Sequence, residues 1–138
     1  EVSFGMLLLD IDFFKKVNDT YGHNGGDMVL QQFAGCLKNV MRATDVIGRM
    51  GGEEFIAVVQ STSINDFHSI CERIRSSVEA LSCDHDGITI KVTTSGGTYF
   101  SSEQETNIKE MINIADQRLY GAKQAGRNRI QHIDTKDA

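Results

Sequence analysis

Apolar and polar positions along the chain follow two periods in turn. Residues 4–11 carry the nearly continuous run Met6-Leu7-Leu8-Leu9, the pattern of a buried strand. A short helix is expected through Lys16-Val17-Asn18, then a turn-rich segment from Thr20 to Gly26. Asp27 falls where a helix N-cap belongs, and Leu30, Phe33, Ala34, Leu37 and Met41 line one face of the helix after it. Val46-Ile47 and Phe55-Ile56-Ala57-Val58-Val59 flank a Gly-Gly turn, which predicts a hairpin from about Asp45 to Gln60. A second helix sets Ile64, Phe67, Cys71, Ile74, Val78 and Leu81 on one face. Strands are predicted over 88–92 and 94–100, with a turn at Asp86-Gly87 before them. A third helix carries Ile108, Met111, Ile112, Ala115, Leu119 and Ala122, with Gly126 as its stop. Residues 129–133 form a last short strand.

This order predicts an α/β fold of the α+β type: a mostly antiparallel central sheet, built on a split βαβ unit, with helices on one face. A right-handed first crossover makes strand one parallel to strand two. The pattern permits strand three to be inserted between them, antiparallel to strand one, and in that order Asp10 lies beside Glu53, 43 positions away.

Composition narrows the class. The 138 residues suit one domain, and 40% hydrophobic with 24% charged content is ordinary for a globular protein. No apolar run approaches membrane-spanning length and no secretory signal is present. Cys36, Cys71 and Cys83 fit neither a disulfide framework nor a zinc pattern; Cys36 and Cys71 fall within helical apolar patterns and read as core residues in a reducing compartment. A formal charge of −5 argues against a nucleic-acid binder yet leaves room for a nucleotide site.

The candidate chemistry lies at two acidic places. Asp10-Ile11-Asp12 ends the first strand, and Gly51-Gly52-Glu53-Glu54 forms the hairpin turn. Hard oxygens so placed suit a divalent cation handling phosphate. Taken singly, each acid reads equally as a solvated turn residue. Asp12 either shares the face of Asp10 or caps the following helix, and capping is the preferred reading. Phe13, Phe14 and Tyr120 read as core or cleft wall, and His23 as a turn residue bonded to backbone. His68, His85 and His132 show no ligand spacing.

Five blocks in order carry a resemblance: Asp10-Ile11-Asp12-Phe13-Phe14-Lys15-Lys16-Val17-Asn18-Asp19, Tyr21-Gly22-His23, Gly26-Asp27, Gly51 to Phe55, and the tail Ala115-Asp116, Leu119-Tyr120, Ala122-Lys123, Gly126-Arg127-Asn128. Together they resemble the GGDEF family, the diguanylate cyclases, which join two GTP molecules into cyclic di-GMP and release two pyrophosphates. The resemblance implies a sheet like that of nucleotidyl cyclases and polymerase palm domains. It implies catalytic roles for Asp10, Glu53 and Glu54, with Asp10, Glu53 and the Ile11 carbonyl holding two Mg²⁺ per GTP site, Mn²⁺ being a substitute. Asn18 and Asp27 become guanine readers. Lys15, Lys123 and Arg127 become phosphate contacts, with Phe13 and Phe14 beside the substrate. For any one of these cations alone, a favourable charge at a helix end is the simpler reading.

Arg42-Ala43-Thr44-Asp45 matches the family's RxxD inhibitory site for cyclic di-GMP, with Arg73 completing it. Two departures are evident: Glu53 stands for the Asp of the family name, and Met50 sits where an aromatic is frequent. The expected organisation is one catalytic domain over 1–134, lacking the family's usual N-terminal helix, and a tail over 135–138. The sequence is thus expected to be a fragment of a longer protein with an upstream regulatory domain. A homodimer, GTP and cyclic di-GMP are the implied partners, with no nucleic acid and no membrane contact by this domain. The implied location is cytoplasmic, in a protein that is free or membrane-anchored. The rival reading is a non-catalytic module that binds GTP or cyclic di-GMP and regulates a neighbour.

Overall fold

The strand β1 (Phe4–Ile11) lies at the centre of a five-stranded sheet and decides what surrounds it. Seven of its eight residues are buried. Leu7, Leu9 and Ile11 point into one core, with Phe33, Leu37, Phe55, Phe67 and Ile74. Met6 and Leu8 point into the other, with Tyr99, Ala115 and Leu119. A strand buried on both sides needs no polar alternation, which is why its sequence is an unbroken apolar run. The helices therefore cover both faces of the sheet rather than one. The computed structural model describes residues 3–60, 63–103 and 105–134, so the expected tail over 135–138 lies outside the described residues.

The chain runs from β1 into α1 (Phe14–Val40), then the hairpin β2 (Val46–Gly51) and β3 (Glu54–Gln60). Next come α2 (Ile64–Glu79), the short hairpin β4 (Cys83–His85) and β5 (Ile88–Ile90), and β6 (Thr94–Phe100). The helix α3 (Ile108–Gln124) and β7 (Ile130–Gln131) complete it. The sheet order is β2-β3-β1-β6-β7. β1 is antiparallel to β3 and to β6, and only β7 pairs in parallel, so the sheet is mostly antiparallel as the pattern predicts. Asp10 pairs with Glu54 in register, and the Ile11 N–H donates to the Glu53 carbonyl at 3.3 Å. The predicted strand over 88–92 stops at Ile90 because β5 pairs with β4 in a separate two-stranded sheet. The last strand is likewise shorter than 129–133.

The expected turn over 20–26 is helical. α1 is broken only at Gly22 (φ 76°, ψ 174°), and the helix resumes at His23, which is exposed. Asp27 therefore sits inside the helix and not at its N-cap. On the far face, α3 lies almost directly on β6. A Cβ built at Gly97 would meet the Ala115 carbonyl at 2.1 Å and the Leu119 nitrogen at 2.2 Å, so only glycine permits this approach. That seating carries the C-terminal end of α3 to Asp10. Cys36 and Cys71 are buried free thiols, as expected, and Cys83 is buried too. No helix among the described residues is long and apolar enough to cross a membrane.

Candidate functional site

Strand alternation aims Asp10 toward α3, on the same side as Met6 and Leu8. Its carboxylate is only 5% exposed. Oδ2 accepts an ion-paired hydrogen bond from Lys123 of α3, while Oδ1 is buried with no hydrogen-bond partner. Burial pushes the Asp10 carboxyl above its ordinary range, Lys123 opposes this, and Glu53 and Glu54 add to the rise. A buried carboxylate with an unused oxygen, crowded by two further acids, is a ready ligand for a cation. Among the described residues, no three acid, imidazole or thiol groups are gathered closely enough to hold a metal ion alone. Mg²⁺ does not need such a cage, because it takes one or two carboxylates and fills its shell with water and substrate oxygens.

Asp10, Ile11 and Glu53 open onto a cavity of about 420 Å³. Phe13, Phe14 and Lys15 wall it from the start of α1, and Lys123 and Arg127 from the far end of α3 and the turn after it. Eight of the expected site residues are thus brought together. The hairpin presents Glu53 through a two-residue turn, Gly52-Glu53, after a bulge between Arg49 and Gly51. The Arg49 Nε donates to the Gly52 carbonyl at 2.9 Å and braces that turn, and Met50 is exposed at the bulge. Glu54 faces the same side as Asp10 but is exposed and stands outside the cavity wall.

Lys15 pairs with Asp19 at 3.0 Å with both side chains largely exposed, a contact weak enough to leave the ammonium available to a ligand. α3 ends at Gln124, so Lys123 and Arg127 do not share a helix face. Arg127 is brought back by a turn in which its N–H donates to the Ala122 carbonyl at 3.0 Å. Its guanidinium then lies 4.5 Å from the centroid of the Phe13 ring. Phe13 is 62% exposed and is cleft wall, whereas Phe14 is buried and belongs to both core and wall. Tyr120 is 65% exposed and is neither.

Asn18 and Asp27 lie further along α1, outside that cavity wall. Gly26 links them: a Cβ there would lie 1.8 Å from the Asn18 Oδ1, so glycine lets the two helical pieces close beside Asn18. Asp27 follows directly and is exposed.

Asp12 does not cap α1. Phe13 holds that place in the left-handed region (φ 57°) with no side-chain cap. The Asp12 carboxylate is 5% exposed and accepts from Ser95 Oγ at 2.7 Å, Thr93 Oγ1 at 2.7 Å and the Asn128 N–H at 3.0 Å. A buried carboxylate takes the strongest donors in reach, and Thr93, just before β6, and Ser95, within it, supply hydroxyls that the start of α1 does not. Sequence reasoning assigned no role to Thr93, Ser95 or Asn128. Lys16 and Asp19, which also line the cavity, were passed over too. Asn128 stands in a quoted motif, and its neighbour Arg127 was the available clue.

Arg42, Asp45 and Arg73 lie elsewhere. The Asp45 carboxylate accepts the Arg42 N–H at 2.8 Å and the Gln60 N–H at 3.2 Å, and Arg42 also reaches the Gln60 carbonyl and, at 3.7 Å, Asp66. Gln60 pairs with Phe4 and Glu54 with Asp10, so this cluster sits six residues along β1 from the acids, about 20 Å at the usual strand rise. Arg73 is exposed on α2.

Residues 1–129 match the family described as diguanylate cyclase, GGDEF domain. The chain belongs to the GGDEF family. Diguanylate cyclase A of Treponema denticola is 44% identical over 128 residues, which are 93% of this chain and 34% of that protein. The chain thus spans about a third of the length of this curated relative. The GGDEF domain of PA1120 (TpbB or YfiN) from Pseudomonas aeruginosa superposes with a TM-score of 0.93 at 28% identity, covering 99% of this chain and 80% of that one. The GGDEF domain of DgcB from Caulobacter crescentus, solved in complex with c-di-GMP, gives a TM-score of 0.87 at 28% identity over 95% of this chain and 78% of that one. The family implies dependence on a divalent metal, and Asp10, with its unpartnered buried oxygen, and Glu53 of the hairpin turn fit it.

Proposed function

We propose that this domain is one half-site of a diguanylate cyclase, condensing two GTP into cyclic di-GMP and two pyrophosphates. The observation that carries the reading is the meeting in one cleft of Asp10 and Glu53 with Lys15, Lys123 and Arg127, in a chain of this family. Residues 1–134 act as the catalytic domain. Asp10, Glu53 and the Ile11 carbonyl would hold Mg²⁺ or Mn²⁺, two ions per GTP. Bound there, the ions neutralise phosphate charge and activate the attacking 3′-hydroxyl.

The chain's own residues do the rest. Lys123 moves from Asp10 to a phosphate, Lys15 leaves Asp19 to do the same, and Arg127 is fixed over Phe13 to meet the triphosphate. Asn18 and Asp27 read guanine: a carboxylate accepts both N1–H and the N2 amino group, which adenine does not offer. Glu54 faces the Asp10 side and assists as ligand or base. One domain offers one GTP half-site, so the 3′-hydroxyl of one GTP reaches the α-phosphate of another only when two domains meet face to face. A homodimer follows from that geometry. Arg42, Asp45 and Arg73 form the inhibitory product site. The domain works in the cytoplasm under an upstream regulatory domain, which the solved GGDEF relatives with coiled coils or activators favour.

The test is mass spectrometry of products from concentrated protein with Mg²⁺ and GTP, and with ATP in parallel. Cyclic di-GMP from GTP alone is expected, and none from Glu53→Gln. Full activity of Glu53→Gln would sink the site assignment. GTP binding without product, even in an enforced dimer, would replace the enzyme by a regulatory module.

A further inference from the structure

Among the described residues, four other than glycine have positive φ: Phe13, Asp86, Arg127 and Asn128. Asp86 lies in the β4–β5 turn. The other three flank one buried contact: Asn128 donates its N–H to the Asp12 carboxylate, and Phe13 and Arg127 are the chain neighbours of these two residues. Strained backbone persists only where its surroundings hold it, and here the holding atoms are on the page. Asp12 Oδ2 accepts the Asn128 N–H at 3.0 Å, and Thr93 and Ser95 fix the carboxylate itself. The Asn128 side chain is gripped from the other side by α2: its Oδ1 accepts from Arg75 at 2.9 Å, and its Nδ2 donates to Glu79 Oε2 at 2.6 Å. Arg75 is in turn oriented by Glu72 at 2.6 Å.

We infer that Asp12, Asn128 and Arg75 form a clasp that positions Arg127 for the triphosphate of GTP, and that Asp12 is a positioning residue rather than a metal ligand. All its oxygens are spent on protein donors, unlike those of Asp10. Beside the clasp, the Arg127 backbone is held by its N–H to the Ala122 carbonyl and by Arg129 Nε, which donates to the Arg127 carbonyl at 3.0 Å. The clasp rests on the cyclase reading for its purpose but not for its existence.

The experiment pairs amide hydrogen exchange at residues 126–129 with titration of a non-reactive GTP analogue. Arg75→Met, on α2 and outside the cavity wall, removes one side-chain bond of Asn128. It is expected to speed exchange at the Asn128 amide, and to weaken analogue binding about tenfold, as loss of a charged donor to a held group does. The Mg²⁺ dependence of binding stays as in the parent. Asp12→Ala shows the same loss more strongly. Asp12→Asn, which keeps an oxygen for the Asn128 N–H and an amide for Ser95, stays close to the parent in both readouts.

Exchange and binding within twofold of the parent in Arg75→Met overturn the clasp. So does an Asp12→Asn protein as impaired as Asp12→Ala, because a carboxylate needed for its charge is not a positioning group. If the parent itself binds no GTP analogue, the cyclase reading fails, and the exchange rates alone decide whether the clasp exists.

Discussion

Acidification from about pH 7.5 to 5 is expected to weaken the fold through one pair of histidines. The His132 and His68 rings stack with centroids 3.6 Å apart and planes 25° apart. His132 Nδ1 lies 2.8 Å from Thr98 Oγ1, tying the segment after β7 to β6. Burial, then His68 of α2 and Arg118 of α3, push the His132 imidazole down from 6.5 to about 4, against the opposing pull of Glu103 and Glu72. His68 is lowered too, by burial, with Glu103 opposing. Between pH 6.5 and 4 the unfolded chain therefore binds more protons than the folded one. Stability is full above 6.5 and declines as pH falls toward 4. At about 1.4 kcal/mol per pH unit, the His132 imidazole alone accounts for roughly 2 kcal/mol at pH 5, or about 1–2 once partial solvent access is allowed for. Urea unfolding of the parent and of His132→Asn at both pH values measures it. The Asp10 carboxyl, raised by burial, and Glu72 and Glu79, lowered by Arg75 and Asn128, are present in both proteins, so the difference between parent and variant isolates His132. An acid-insensitive parent, or an Asn variant that loses as much as the parent, would refute the reasoning.

Two further outcomes are expected from the functional residues. Asp27→Ser should leave the fold within about 0.5 kcal/mol of the parent, because Asp27 is exposed, yet narrow the preference for GTP over ATP by roughly 10²-fold; competition binding of the two nucleotides measures it, and an unchanged ratio removes Asp27 from guanine reading. Arg42→Ala should weaken cyclic di-GMP binding at least about tenfold in calorimetry while costing less than about 1 kcal/mol of stability, since the Arg42 side chain is 47% exposed in its ion pairs; equal affinity in variant and parent excludes the RxxD site.

What the sequence could announce was set by distance along the chain and by kind of contact. β1 was legible because a strand buried on both faces must be apolar throughout, and the same fact hid how the helices divide between those faces. Gly51-Gly52 announced a turn, since a two-residue hairpin loop needs such residues. The glycines at 22, 25 and 26 looked alike in sequence but act differently. Gly22 breaks the helix (φ 76°), while Gly25 and Gly26 are buried inside it, and composition alone does not separate a bend from a close approach. Misplacing that bend also made Asp27 an N-cap.

The site was legible where family order supplied neighbours and illegible where tertiary contact did. Asp12 and Asn128 are 116 positions apart, and Lys123 and Asp10 are 113. Nothing local in Asp10-Ile11-Asp12 says that one acid keeps a free oxygen in the cleft while its neighbour two residues on is consumed by Ser95, Thr93 and a backbone N–H. The difference lies in the neighbours: Asp10 meets Lys123 of α3 and the open cleft, whereas Asp12, one residue beyond β1 and in register with Thr93, meets the hydroxyls of Thr93 and Ser95. A motif read from spacing is reliable only within the element that sets the spacing.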